Sequence, residues 1–147
     1  YKRQAPNSTK ARTALGQLHL RGMELPTEAL RYYRDALKKN SRHAPALIGE
    51  GDALTFIGAH TDAIRSYGRA GGEDGLLRRA ASELRVGQVD RARGTAESIL
   101  ASDPANMEAT LLRACALYTL GDLETARGAF EQVGASADAQ QIRAQAC

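Results

Sequence analysis

The sequence has few aromatic residues and no long apolar run. Aromatic residues make up 5% of its 147 residues and tryptophan is absent. No stretch approaches the roughly 18 consecutive apolar residues that a membrane-spanning helix needs. Thr, Val and Ile are also sparse, whereas alanine is the commonest residue, and this balance favours helix over strand. The composition therefore excludes a transmembrane segment in this chain and favours an all-α domain.

The residue patterns that catalysis or metal binding requires are also missing. The histidines His19, His43 and His60 lie far apart, and neither HExxH nor CxxC occurs. No GxSxG, Walker-type phosphate loop or GxGxxG motif is present either. We therefore predict no enzyme, with no catalytic residue, no cofactor-binding residue, no metal site and no small-molecule substrate.

Cysteine is scarce, because Cys115 and Cys147 are the only two in the chain. Two cysteines are too few for the disulfide framework of a small secreted domain. They can form one disulfide or none, and spacing alone leaves both states open. Cys115 lies within a predicted helix with no histidine placed to activate it, which indicates a buried small residue.

The charge is unevenly distributed along the chain, although the net charge is only +3. Residues 1–45 hold ten Lys or Arg against three Asp or Glu, and the remainder holds ten against fourteen. Such asymmetry can mark a nucleic-acid contact, but a solvated charged surface on the first helices is the simpler interpretation. Sixteen of the twenty basic residues are arginine, which together with the excess of alanine is typical of a GC-rich bacterial genome.

The clearest positive signal is an internal repeat of 34 residues. Three positions of one segment recur at this offset, and a further pair follows it later: Ala29, Tyr33 and Ala36 recur as Ala63, Tyr67 and Ala70, and Ala92 recurs as Ala126. Each segment is preceded by another helix-like stretch that ends in glycine, at Gly22, Gly58, Gly87 and Gly121. Glycine just past a helix can close its last carbonyls, so the pattern predicts helix hairpins.

Small residues within these helices predict where the two helices of a hairpin cross. Gly or Ala occurs in each first helix at Gly16, Gly51, Ala80 and Ala114. A bulky residue stands four positions after the small residue of the second helix, as Tyr33, Tyr67 and Phe130. Small residues let the backbones approach, and the bulky side chain fills the space beside the crossing. A single hairpin cannot bury its apolar face alone, so neighbouring hairpins must stack.

At these positions the chain resembles the tetratricopeptide-repeat (TPR) family. The matching residues are Leu15-Gly16, Ala29-x3-Tyr33, Ala63-x3-Tyr67, Ala126-x3-Phe130 and Asp103-Pro104, and the resemblance covers roughly residues 7–134. The chain departs from the pattern because the family's first-helix tryptophan is absent and Ala96 replaces an aromatic residue. Ala63 and Ala92 are only 29 residues apart, which predicts a tightened turn around Gly71 and Gly72.

The expected fold is an all-α, TPR-like α-solenoid of about four helix hairpins plus a C-terminal capping helix. Residues 1–8 read as a disordered or linker lead-in, and residues 135–147 as the capping helix. The hairpins are predicted at about 9–42, 43–72, 73–105 and 106–134. The chain starts at Tyr1 and not at methionine, which fits either a removed targeting segment or a piece of a longer protein.

The resemblance implies a concave groove, lined by the first helix of each hairpin, that binds another protein or peptide. The implied partner-binding residues are Gln17, Leu20, Arg21, Ile48, Asp52, Phe56, Leu77, Leu84, Arg85, Leu111 and Tyr118. The family's clamp for terminal carboxylates is absent, because its positions hold Thr13, Gln17, Gly49 and Asp74, with only Arg78 fitting. Phe56, Leu84 and Tyr118 are the expected apolar anchors, unless they instead seal the hairpin interfaces.

The implied function is protein–protein interaction in the assembly of a bacterial envelope machine, such as a pilus or secretion system. The expected compartment is the periplasm or the outer membrane, ahead of the cytoplasm. One alternative is a cytoplasmic chaperone or adaptor for a secreted protein, although such chaperones are usually acidic. Another is a helical repeat that associates with nucleic acid through its basic N-terminal portion. Base stacking favours exposed aromatic residues, and Tyr32 is the only candidate there, so we expect no nucleic-acid partner.

Overall fold

The computed structural model describes residues 8–134, which form eight α-helices arranged as four hairpins, without any strand among them. The helices are α1 Thr9–Gln17, α2 Pro26–Lys39, α3 Ala44–Phe56, α4 His60–Ala70, α5 Gly72–Arg85, α6 Val89–Ser102, α7 Met107–Thr119 and α8 Leu123–Gly134. This confirms the all-α, TPR-like fold and its four hairpins. The expected capping helix at 135–147 lies outside the described residues, as does nearly all of the expected lead-in. None of the described helices is long and apolar enough to cross a membrane.

The described residues divide into two compact units, the first ending at Gly75 and the second beginning at Leu76. Helix α5 begins in the first unit and ends in the second. It starts directly after α4 because Gly71 and Gly72 have φ angles of 62° and 67°, a backbone conformation that is almost free of cost only for glycine. The shortened spacing in the sequence therefore predicted this turn correctly.

The core of the first unit is organised around the ring of Tyr33, which is only 1% exposed. The ring lies against glycines of two different helices, Gly16 in α1 and Gly49 in α3. A Cβ atom added at Gly16 would stand 2.6 Å from Cε1 of Tyr33, and one added at Gly49 would be closer still. Glycine is therefore required at both positions, and the ring joins three helices. Sequence spacing predicted the role of Gly16 and missed that of Gly49.

The second hairpin repeats this arrangement at Tyr67, which is 3% exposed. Its ring lies against Gly51 of α3, where an added Cβ atom would stand 2.7 Å from Cδ1 of the ring. The Tyr67 hydroxyl donates a hydrogen bond to Oδ1 of Asp52 at 2.7 Å. The contact confirms the expected packing of a bulky residue on a small one across this hairpin. The hydrogen bond to Asp52 also provides the partner that the hydroxyl group of a buried tyrosine needs.

The second unit packs through a different set of side chains. Leu111, Cys115 and Val133 form its buried cluster, with Leu84 and Phe130 packed partly against it. Helices α5 and α6 are additionally joined by a carboxylate. Glu83 is fully buried, and its two oxygens accept hydrogen bonds from Nε of Arg79 at 2.7 Å and from Oγ1 of Thr95 at 2.9 Å. Because both oxygens are hydrogen-bonded, this buried charge is compatible with a stable interior.

The first hairpin turn differs from the expectation that Gly22 ends the helix. Helix α1 continues as a π-helical turn over Leu18–Gly22, and the positive φ of the turn falls on Glu24, at 52°. The other three glycines behave as predicted, with φ angles of 86°, 80° and 88° at Gly58, Gly87 and Gly121. Helices α2, α4 and α6 begin without a side-chain hydrogen bond to their first amides.

The packing of Tyr33 predicts opposite effects for two glycine-to-alanine changes. Gly49→Ala forces a methyl group into a buried ring that cannot swing away, and should lower the free energy of unfolding by about 1–3 kcal/mol. Gly94→Ala is the matched control, because no atom lies within 4 Å of the added Cβ atom. It should raise that free energy by about 0.5–1 kcal/mol. Urea unfolding followed by circular dichroism measures both, and two changes of the same sign would contradict this packing.

Candidate partner-binding groove

An open groove of about 550 Å³ lies between α5 and α7 in the second unit. Both are first helices of hairpins, which is the location expected from the family resemblance. The residues that line the groove are Ala81, Leu84, Arg85, Gly87, Val89, Leu112, Cys115, Tyr118 and Thr119. Three of the predicted partner-binding residues, Leu84, Arg85 and Tyr118, are thus brought together in one cavity.

Leu84 and Tyr118 supply the apolar walls of this groove in different ways. Leu84 is half-buried and rests on the buried cluster of the second unit, which holds it in place. Tyr118 is 62% exposed, although it carries a large aromatic ring. An exposed ring next to a supported leucine offers apolar area that a partner can remove from water.

The groove has one basic residue, Arg85, at its edge. Arg85 is exposed and forms no ion pair with any of residues 8–134. The other polar side chain, Thr119, donates its hydroxyl to the backbone carbonyl of Cys115 at 2.9 Å and is engaged within α7. The groove therefore combines apolar walls with one arginine that is available to a carboxylate.

Cys115 forms part of the α7 wall and is 4% exposed, as a buried small residue should be. It is also disulfide-bonded. The sequence left open whether the cysteines pair, and Cys115 is bonded and not a free thiol.

Several predicted groove residues are instead committed to packing. Leu20 and Leu111 are buried, at 8% and 6% exposed, in the cores of the first and second units. Ile48 is half-buried against the core of the first unit, and Leu77 is half-buried without lining the groove. These positions support the walls of their units and offer little surface to a partner.

Asp52 also has a structural role within the first unit. It accepts the hydrogen bond from the Tyr67 hydroxyl, and its charge acts on the phenol of Tyr33. Burial, reinforced by the Asp52 carboxylate, raises the pKa of Tyr33 to about 12, while Arg21 acts in the opposite direction. Tyr33 is therefore a neutral hydroxyl near this carboxylate, while the hydrogen bond from Tyr67 to Asp52 joins α4 to α3.

The remaining predicted residues, Gln17, Arg21 and Phe56, are exposed in the first unit. Phe56 is 59% exposed, so it stays a candidate anchor there. The prediction missed Leu112 and Val89 in the second-unit groove. Leu112 could have been found from its spacing with Cys115 and Thr119, since i, i+3 and i+7 share a helix face.

A second, smaller concavity of about 450 Å³ lies beside α8. It is lined by Tyr118, Leu123, Ala126, Arg127, Phe130 and Glu131. Arg127 and Glu131, one turn apart on α8, form an ion pair with Nε and Oε1 3.0 Å apart. Tyr118 borders both concavities, so its exposed ring is part of two neighbouring surfaces of the second unit.

Four basic residues of the N-terminal portion pair with acidic residues: Arg12, Arg31, Arg34 and Lys38. Arg12 contacts Asp35 at 2.9 Å and Arg34 contacts Glu50 at 3.4 Å. The ring of Tyr32, the one aromatic candidate for base stacking, stacks on His19 with the ring centres 4.9 Å apart. The guanidinium carbon of Arg31 also lies 5.4 Å from the centre of that ring. These contacts disfavour stacking of a nucleic-acid base on Tyr32.

Between residues 8 and 134, no group of His, Cys, Asp and Glu could hold a metal ion.

Comparisons with known proteins agree on the repeat. The family model described as tetratricopeptide repeat matches residues 13–74 and 77–141. A curated relative, the outer dynein arm-docking complex subunit 4 of Mus musculus, is 33% identical over 87 residues, or 56% of this chain. The human protein of the same name is 34% identical over 87 residues. The chain spans only 14% and 13% of the lengths of these two relatives.

Several solved structures share the fold at low sequence identity. MamA matches with a TM-score of 0.79 and 19% identity over 95% of this chain and 81% of its own. PilW, a type IV pilus biogenesis factor, matches with a TM-score of 0.79 and 17% identity over 93% of this chain and 68% of its own. YrrB, described as having an unusual peptide-binding site, gives 0.74 and 21% over 90% and 73%. At these identities the likeness shows the fold alone.

The exposed fraction of a side chain distinguishes a possible anchor from a core residue in the second unit. Two alanine variants, one of each kind, test this distinction. Tyr118→Ala removes an exposed ring and should change the free energy of unfolding by less than about 0.5 kcal/mol. Leu111→Ala removes a buried side chain and should cost about 2–5 kcal/mol. Thermal and urea unfolding provide the comparison. A loss at Tyr118 as large as that at Leu111 would assign Tyr118 to the core and remove it as an anchor.

Proposed function

The chain belongs to the tetratricopeptide-repeat family, and we propose that it is a protein–protein interaction module that binds a partner segment in the groove between α5 and α7. Members of this family generally serve as non-catalytic interaction scaffolds. The observation that carries the proposal is the meeting of Leu84, Arg85 and Tyr118 in one open groove of the second unit.

The energetics of such a groove favour a partner with large apolar side chains. The groove exists before binding, so a partner does not have to open it. Covering the Tyr118 ring and the exposed edge of Leu84 removes apolar area from water, and each anchor can contribute roughly 1–2 kcal/mol. Leu112 and Val89 extend the same wall. Together these side chains form a small apolar contact that suits a short segment of a partner.

Arg85 adds a requirement for the partner's charge. It is the groove's basic residue, and its guanidinium can donate two parallel hydrogen bonds to a carboxylate. A charge at the rim affects orientation and association rate more than affinity. The proposed partner is therefore an extended or helical segment that carries large apolar residues and at least one nearby acidic residue.

The setting that we propose is the assembly of a bacterial envelope machine, in the periplasm or at the outer membrane. PilW, one of the structures that share the fold, is a pilus biogenesis factor. The disulfide at Cys115 also suits an oxidising compartment such as the periplasm, because thiols are kept reduced in the cytosol. The same argument disfavours the alternative of a cytoplasmic secretion chaperone.

A docking scaffold is a second candidate setting, favoured by the 33% sequence identity with the dynein arm-docking subunit over 87 residues. Both settings use the groove in the same way and differ in compartment. Osmotic-shock fractionation of the native cells distinguishes them, with release of the protein from the periplasm expected for envelope assembly. Retention of the protein with the cytosol would contradict the envelope setting and leave the binding function untouched.

Binding in the groove can be tested with a displayed library of random peptides selected against the folded protein. We expect selected peptides to carry large apolar residues together with an acidic one. Tyr118→Ala should weaken such a peptide about tenfold, the equivalent of about 1.4 kcal/mol. Isothermal titration calorimetry measures the affinities.

Two further variants make the test specific to the groove. Leu120→Ala removes another exposed apolar side chain, 42% exposed, that does not line the groove, and it should leave affinity unchanged. Arg85→Gln should weaken the peptide mainly at low salt, since rim charges are screened by ions. Equal losses from Tyr118→Ala and Leu120→Ala would show that peptides bind exposed apolar surface in general and not this groove.

A further inference from the structure

The two concavities of the second unit share one side chain, Tyr118, which lines both of them. Its ring borders the groove between α5 and α7 and also borders the concavity beside α8. The ring is 62% exposed, so a segment that covers it in the groove can continue over it into the second concavity. The two openings therefore form one continuous surface.

The second concavity has the chemistry of a site for an apolar side chain. Leu123 is 58% exposed, and Phe130 is half-buried because it packs against the buried cluster of the second unit. The two charged residues at this concavity, Arg127 and Glu131, pair with each other. Their opposite charges offset one another, so the second concavity selects for apolar area and not for a charge.

The buried cluster also limits the distance between the two concavities. Leu84 of α5 and Phe130 of α8 pack against the same cluster, which contains Leu111 and Cys115 of α7. Both α5 and α8 therefore contact α7. The axes of packed helices lie about 8–10 Å apart, so anchors on α5 and α8 are within roughly 20 Å of each other. An extended segment rises about 3.3 Å per residue and covers this distance in about six residues.

The size of the groove favours an extended segment over a helix. The groove has a volume of about 550 Å³, and a single turn of a helix about 10–12 Å across would fill it. A helix would then have no room to follow the surface over Tyr118. An extended backbone is slimmer and can place side chains in both concavities.

We propose that one extended partner segment occupies both concavities at once. A first large apolar side chain lies in the groove, and a second, up to about six residues away, covers Leu123 and Phe130. This inference rests on the proposed function, since it extends the same groove. The partner's acidic residue belongs with the first apolar residue, because Arg85 lines the groove and not the second concavity.

Two anchors explain how shallow openings can hold a partner. Once the first apolar residue is seated, the second one binds within the same complex and does not lose further translational freedom. A large apolar side chain that leaves water at such a site strengthens binding about tenfold. A segment with both anchors should therefore bind about tenfold more tightly than a segment with the first anchor alone.

Selection from a displayed library tests the two-anchor segment on the whole chain. Random peptides of about fifteen residues are long enough to span both concavities. On the unchanged protein, enriched peptides should carry two large apolar positions no more than about six residues apart, with an acidic residue near one of them. On Leu123→Ala, the second apolar position should become random, while the first and the acidic residue stay enriched. Leu123 is exposed, so this variant should keep the circular dichroism of the unchanged protein.

A double-mutant cycle then connects the second anchor to its site. Isothermal titration calorimetry compares the most enriched peptide with a version that has alanine at its second apolar position, on both proteins. Each single change should weaken binding about tenfold, and the two together should weaken it no further, because both remove the same contact. Leu120→Ala is the matched control. It is 42% exposed and lines neither concavity, so both affinities should stay unchanged.

The outcomes separate this inference from the proposed function. Additive losses in the cycle, or enriched peptides with a single apolar position, would overturn the inference. The proposed function would still stand if Arg85→Gln weakened the same peptides at low salt, because Arg85 lines the groove alone. A library without any enriched peptide would contradict the proposed function and this inference with it. If Leu123→Ala changed the sedimentation of the free protein and not its peptide binding, the second concavity would be a contact between copies of the chain, and the inference would be wrong.

Discussion

The close crossing of two helices, with an aromatic ring laid on glycine, is the contact on which the first unit depends. Tyr33 fills the space over Gly16 and Gly49, so that helices α1, α2 and α3 are fixed by one side chain. Because the ring is buried and the two glycines beside it lack side chains, none of the three helices can rotate without creating a cavity or a clash. The second unit uses small residues in the same way, with Ala80, Ala92, Ala96 and Ala114 fully buried.

Because small residues form the helix crossings, some large side chains of the first helices are not needed in the core and can remain exposed. In the second unit, Leu111 and Cys115 are directed into the cluster with Val133, while Tyr118, one turn further along α7, remains exposed. A helix that is fixed by small residues and by one buried face can display a large ring at its open face. The groove is thus a by-product of the way in which the hairpin is packed, and its rigidity favours recognition.

The repeat itself could be predicted from the sequence, because helical periodicity and the spacing of small residues are local properties. The offset of 34 residues located Tyr33 and Tyr67, and the shortened interval located the turn at Gly71 and Gly72. Leu84, Arg85 and Tyr118 were placed correctly on first helices, and the structure brings them to one groove. Their role in binding stays a prediction that rests on this geometry.

Other features depend on contacts that spacing cannot specify. A helix turns by about 100° per residue, so an error of one position exchanges a groove residue for a core residue, as at Leu20 and Leu111. The role of Asp52 requires the position of the Tyr67 hydroxyl, which comes from a neighbouring helix. The π-helical turn at Leu18–Gly22 has no counterpart in the other hairpins, so the repeat pattern indicated a glycine-ended helix there.

The most direct test of the proposed groove is a nuclear magnetic resonance titration of the labelled protein with a selected peptide. The account predicts that amide and side-chain shifts change at Ala81, Leu84, Arg85, Tyr118 and Thr119, which line the groove. Phe56, an exposed aromatic residue of the first unit, should be unaffected. Shift changes centred on Phe56, with none at Leu84 and Tyr118, would contradict the assignment of partner binding to the second unit.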